Sequence, residues 1–242
     1  MEEERELYGR ATQDESRKRA VRRLTRAQVV YLAALMVFAV FAVFAHLYAY
    51  FGWDLTAARD VQSIQDPVFT NTMSVVSFFG SGWMPFALVS LTGSLFLITG
   101  WRSEAAAILF SAGGGELLNR IIKIIIARPR PETGLVIVLV HPNSQSFPSG
   151  HVTFYVCYFG LLFFIAYARL PRASIARRAA LTITALLVAL VGLSRVYLGA
   201  HWPSDTIGAY LFGGLWLALS VHLYQRWKER ATFHLKAVTS DE

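Results

Sequence analysis

The chain has 242 residues, 55% of them apolar and only 16% charged, with a mean hydropathy of +0.43 and a formal net charge of +7. That balance excludes an ordinary soluble domain, in which about 25% of residues are charged, and makes a polytopic membrane protein the first expectation. A bilayer core about 30 Å thick asks for roughly 20 apolar residues per helical crossing.

In chain order, residues 1–26 form a charged tail with eight Lys and Arg side chains. Six apolar runs follow: 29–50, 84–100 (with the fairly apolar stretch 68–82 as an earlier start), 105–126, 151–168, 179–193 and 206–224. Residues 27–225 are therefore expected to fold as an all-α bundle of six transmembrane helices, followed by a tail over 226–242. The first run exceeds the roughly 7–15 residues of a cleaved signal core and is expected to stay as an anchor. The single cysteine, Cys157, lies in the fourth run, so no internal disulfide forms and the redox compartment is unread.

Cytoplasmic loops hold the excess of Lys and Arg. With both termini inside, 17 of the 23 basic residues face the cytoplasm, and the stretch 16–26, "SRKRAVRRLTR", reads as an orientation signal and an anionic-lipid contact, not a nucleic-acid site. The remaining six are Arg59, Arg120, Lys123, Arg128, Arg130 and Arg195, five of them at the ends of the third and fifth runs.

Three stretches then share the extracytoplasmic leaflet: "KIIIARPRP" (123–131), "FPSGH" (147–151) and "SRVYLGAHWPSD" (194–205). Lys123, Arg130 and Arg195 would repel one another unless an anion lay among them, and Arg suits bidentate contact with phosphate oxygens. Pro148 places a helix start at Ser149 and Gly150, where unbonded amides and the positive dipole end attract anions. Pro203 fits the first turn of the last helix, with His201 just ahead and Asp205 in reach of its ring. A carboxylate on one imidazole nitrogen leaves the other free to attack, and His151 could protonate the leaving oxygen. His46, His141, His222 and His234 lack such surroundings and read as interfacial. Glu116 and Arg120, one turn apart, read as a pair that lowers the cost of burying each charge. Arg128 reads as a head-group contact.

At these residues the sequence resembles the type 2 phosphatidic acid phosphatase superfamily, which includes bacterial lipid phosphatases and vanadium haloperoxidases. The first motif is met by Lys123, Arg130 and Pro131, the second by Pro148, Ser149, Gly150 and His151, and the third by Ser194, Arg195, His201 and Asp205. The resemblance implies a phosphohistidine on His201, with Asp205 orienting it and His151 as general acid. It implies a phosphate clamp of Lys123, Arg130, Ser149, Gly150 and Arg195, and neither metal nor cofactor. The implied substrate is a membrane lipid phosphate or diphosphate, of the phosphatidic acid, phosphatidylglycerol phosphate or undecaprenyl diphosphate type. A lipid phosphotransferase using the same phosphohistidine and a non-catalytic lipid-binding or transport protein are the alternatives.

Overall fold

The computed structural model describes the backbone of residues 2–238 and the side chains of residue 22 and of residues 25–229. His234 and all of the stretch 16–26 except Arg22, Thr25 and Arg26 lie outside the described side chains. The helices are α1 (Glu2–Leu47), α2 (Gly52–Gln62), α3 (Pro67–Phe78), α4 (Met84–Ile98), α5 (Arg102–Ile108), α6 (Gly114–Ile126), α7 (Gly150–Arg169), α8 (Ile175–Tyr197) and α9 (Pro203–Val238). A π-helical turn, Leu109–Gly113, joins α5 to α6 without a break. The described residues form no strand, and the chain is all-helical.

Four segments are each long and apolar enough to cross a bilayer: Thr25–Leu47, Gly150–Arg169, Ile175–Tyr197 and Pro203–Glu229. They cover the first, fourth, fifth and sixth apolar runs. Helix α4 has 15 residues, about 22 Å at 1.5 Å per residue, and is shorter than a crossing on its own. The third run is the continuous α5, π-turn and α6. The earlier start read for the second run is corrected: α3 is a separate helix, because the chain turns at Gly82, which has a φ of +55° that residues with a Cβ rarely adopt.

Local chemistry sets the helix ends around the site. Ala127 ends α6 in a left-handed conformation, and two prolines, Pro129 and Pro131, keep the chain from resuming the helix. Helix α7 starts two residues after Pro148, behind Ser149 at the N-cap position, and α9 starts on Pro203, the first-turn position proline prefers. Asp66 caps α3 by accepting from the Phe69 amide at 2.7 Å.

Helix α7 is the axis of the bundle: 61% of its span is buried, against 11% for α1. Its Val152, Tyr155, Leu161 and Ile165 pack with Val191 of α8 and Ala209 of α9. Helix α1 is held chiefly by Phe38, Ala42 and Ala45 against Phe147 and Phe212. Its other side presents apolar residues such as Val30, Met36 and Val43 outward, a belt that a bilayer and not water would cover.

Between α8 and α9 the chain turns at Gly199, whose φ is +68°. The segment after α6 crosses over this turn, and a Cβ on Gly199 would lie 2.0 Å from the Ile137 carbonyl oxygen. Leu139 donates its amide to Leu198 O at 3.0 Å, and Gln62 of α2 bridges Ile137 O and Tyr197 O at 2.7 and 2.9 Å. Gly199→Ala is expected to cost about 1–3 kcal/mol in backbone strain and to push the crossing segment outward. A lowered midpoint of thermal unfolding in detergent is the measurement, and an unchanged midpoint would contradict it.

Candidate active site

The end of α6, the start of α7, the α8–α9 turn and the C-terminal turn of α3 meet at one end of the bundle. Lys123, in the last turn of α6 and 7% exposed, donates to Gln145 O at 2.6 Å and Ser146 O at 3.1 Å. Arg130 donates from Nε to Ser144 O and from Nη1 to Ala200 O, both at 2.5 Å, and from Nη1 to His201 Nε2 at 3.2 Å. Arg195, 3% exposed, donates from Nη1 to Ser77 Oγ at 2.5 Å, while its buried Nε has no partner among the described residues. None of these three cations has a carboxylate within 4.0 Å among the described residues. Their present acceptors are neutral.

At the start of α7, Ser149 sits at the N-cap position without capping the helix, and its Oγ is buried and partnerless. The Ser149 amide is taken by Asp205 O at 3.2 Å, so the amides left unbonded by the helix are those of Gly150, His151 and Val152. A Cβ on Gly150 would make only ordinary contacts, with Asn119 Oδ1 at 3.5 Å and Lys123 Cε at 3.9 Å. Protein packing therefore does not demand glycine there. The same distances put Lys123 beside the α7 N-terminus, so the first and second motifs meet.

His201 is 2% exposed. Arginine has only donors, so the Arg130 contact makes Nε2 an acceptor and leaves the ring proton on Nδ1. Nδ1 faces Asp205 Oδ2 and Ser146 Oγ, each at 3.5 Å. Burial, then the positive charges of Arg130, Lys123 and Arg195 in that order, hold the His201 imidazole well below its ordinary pKa. Burial also lowers Arg130, to about 10, against the opposing pull of Asp205. His201 is thus a neutral imidazole with its lone pair on Nε2, surrounded by cations from the first and third motifs.

Several partners in this site carry no signal in the apolar pattern. Ser81 Oγ lies 3.0 Å from His151 Nε2 and donates to Ser77 O at 3.1 Å, which makes it the acceptor of the His151 ring N–H. The same ring packs on Gly80, where a Cβ would come within 2.6 Å of it. One turn of chain after α3 therefore holds His151, while Ser77 holds Arg195. Ser146 donates its hydroxyl to Asp205 Oδ2, and Asn119 Nδ2 donates to Thr153 Oγ1 at 2.9 Å.

Arg128 is the main correction to the sequence reading. It is 1% exposed and meets no head group. Its Nη1 donates to Asp205 Oδ1 at 2.6 Å and Ser204 Oγ at 2.7 Å, and its Nη2 to Asp54 Oδ2 at 3.1 Å. Asp54, from α2, also accepts from the Ser204 amide at 2.8 Å and so satisfies an N-terminal donor of α9. Arg120 and Glu116 do pair, at 2.8 Å, but their side chains are 72% and 38% exposed, so the contact screens neither charge from burial.

Arg128→Leu would leave Asp54 and Asp205 buried without their cation, a loss of about 3–5 kcal/mol for a broken buried pair. The expected result is a lower unfolding midpoint together with lost activity, and restoration of both by the double variant Asp54→Asn, Arg128→Leu is not expected because Asp205 stays unpaired. A wild-type midpoint in Arg128→Leu would contradict this account.

The PAP2 superfamily profile matches residues 104–229 of the chain. Phosphatidylglycerophosphatase B of Bacillus subtilis is 28% identical over 184 residues, covering 75% of this chain and 88% of the relative. Lipid A 1-phosphatase of Rhizobium etli is 34% identical over 142 residues, 52% of this chain and 56% of that protein. The crystal structure of a transmembrane PAP2 type phosphatidylglycerolphosphate phosphatase from Bacillus subtilis superposes with a TM-score of 0.70 and 27% identity, over 81% of this chain and 96% of the other. With the profile covering more than half its length and the three motifs converging at one end of the bundle, the chain belongs to the PAP2 superfamily.

Proposed function

We propose that this protein is a lipid phosphatase of the membrane, hydrolysing a phosphate monoester or diphosphate head group through a phosphohistidine on His201 and without a metal ion. The observation that carries the reading is His201 Nε2, neutral and unprotonated, accepting from Arg130 within the positive field of Lys123 and Arg195, three buried or half-buried cations whose acceptors are uncharged. The relatives named as phosphatases acting on lipids support the substrate class.

The steps follow from the positions. A phosphoryl group among Lys123, Arg130, Arg195, the Ser149 hydroxyl and the amides of Gly150 and His151 meets donors set for a charged acceptor. His201 Nε2 attacks phosphorus as the bond to the lipid oxygen breaks, and that oxygen takes a proton from His151. Asp205 and Ser146 hold the Nδ1 proton of His201 and steady the charge that develops on the ring. Water then attacks phosphorus, gives a proton back to His151, and the P–N bond breaks to release inorganic phosphate. The lipid substrates considered are phosphatidic acid, phosphatidylglycerol phosphate and undecaprenyl diphosphate. In the bilayer, six crossings with residues 1–26 and 226–242 cytoplasmic put the site at the extracytoplasmic leaflet.

Activity on a panel of these lipids in detergent with excess chelator is expected to survive in the wild type and to fall by at least about 10³-fold in His201→Ala. Full activity in that variant, or strict dependence on added Mg²⁺, overturns the mechanism. Transfer of labelled phosphate to a second lipid in place of free phosphate would identify a phosphotransferase.

The pH profile gives an independent test. Burial and the surrounding cations hold the pKa of His201 well below the ordinary range, so the nucleophile takes up its proton at a lower pH than a free imidazole does. A general acid must start protonated, so the rate is expected to fall as pH rises through the His151 titration, and His151→Ala is expected to lose about 10²–10⁴-fold together with that limb. A pH profile left unchanged by His151→Ala removes His151 from this role.

A further inference from the structure

Helices α1 and α9 run antiparallel and touch near the catalytic end, where Phe41 lies against the Gly208 position. Toward the opposite end they leave a groove of about 520 Å³ between them. Ala27, Val30 and Ala34 of α1 and Leu211, Gly214 and Ala218 of α9 line it, and Arg26 closes its end. Small residues on both walls create the space: a Cβ on Gly214 would meet nothing within 4 Å. Arg26 precedes Phe41 by fifteen residues, about 22 Å along the helix, so this groove is separate from the catalytic histidines.

Both size and charge select the occupant. The groove falls within the roughly 300–1,000 Å³ of small-molecule sites, whereas an α-helix with its side chains is about 10 Å across. A single flexible chain fits it better than a helix of a second copy. Arg22 lies one turn before Arg26, both are exposed, and neither has a carboxylate partner among the described residues. Two guanidiniums at this spacing at the mouth of an apolar groove match the phosphate of a membrane lipid whose acyl chain fills the groove. The net negative charge of that lipid decides between head groups, since a zwitterionic one brings its own cation against the arginines. We propose that the α1–α9 groove binds one acyl chain of an anionic phospholipid, with its phosphate on Arg22 and Arg26, in the leaflet opposite the catalytic histidines.

The test compares phosphatidylglycerol with phosphatidylcholine of the same chains, added to the purified full-length protein in neutral detergent. Phosphatidylglycerol is expected to raise the unfolding midpoint by several degrees and to remain as one adduct per chain in native mass spectra, with phosphatidylcholine doing neither. The double variant Arg22→Gln, Arg26→Gln is expected to lose most of that shift. Gly214→Leu starts from a Cβ that meets nothing within 4 Å, extends into the groove and puts a better helix former in α9, so it is expected to fold with an undiminished basal midpoint and to lose the shift and the adduct. Equal shifts from the two lipids, or an undiminished shift in either variant, overturn the proposal. So does a doubled mass in place of a lipid adduct, which would give this face to a second copy. A shift that disappears in His201→Ala and persists in the double variant would place the lipid in the catalytic site and likewise overturn it.

Discussion

Arg128 stands between Asp54 and Asp205 with all three side chains out of reach of solvent. Taking such charges out of water costs several kcal/mol for each, and mutual attraction offsets that only when the remaining lone pairs and protons are also used. Here they are. Asp54 accepts from Ser204 and from the Phe51 amide, Asp205 accepts from Ser146 and the Trp202 amide, and the Arg128 guanidinium lies 4.9 Å over the Phe51 ring. The arrangement ties α2, the end of α6 and the start of α9 to one point. Since Asp205 is also the group beside His201 Nδ1, the position of the imidazole depends on a network that begins in a helix far away in sequence.

The same network sets the charge of the site. Four cations, Lys123, Arg128, Arg130 and Arg195, face two carboxylates, which leaves an excess of two positive charges, the complement of a phosphate monoester dianion. Of the four cations the carboxylates contact only Arg128, so the other three keep their donors for something else. Carbonyl oxygens at Gln145, Ser146, Ser144 and Ala200 hold Lys123 and Arg130 in place, and the Ser77 hydroxyl holds Arg195. A hydrogen bond to a charged acceptor is worth roughly twice a neutral one, so a phosphoryl oxygen gains by exchange what the carbonyls give up.

What could be read from the sequence follows from where charge is conspicuous. Lys123, Arg130, His151, Arg195, His201 and Asp205 stand at the ends of apolar runs, where ionisable groups are expensive, and the structure brings all of them to one end of the bundle. Asp54 and Arg128 escaped the same logic. Helix α2 is 11 residues long with mixed polarity, and nothing in it distinguishes Asp54 from the surface-like Asp60. Its partners lie 74 and 150 residues away, a distance that only tertiary packing closes. Ser77 and Ser81 were hidden for the opposite reason, since the apolar pattern runs through 68–82 and conceals the turn after α3 that holds Arg195 and His151. Both the profile match and the three motifs begin beyond these residues.

The π-helical turn at Leu109–Gly113 bears on the site from a distance. It lets Ser111 O accept from Trp216 Nε1 at 2.9 Å, and Gly115 packs against Cys157 just beyond it. A π turn accommodates one residue more than an α turn, so it advances every later side chain of that helix by about 100° around the axis. Asn119 and Lys123 face α7 by virtue of that phase. A chain shortened by one residue there would keep its motifs, their spacing and its hydropathy, yet turn its first motif toward the lipid. Helical phase is thus as much a part of the site as the motif residues, and it is set in a segment that carries none of them.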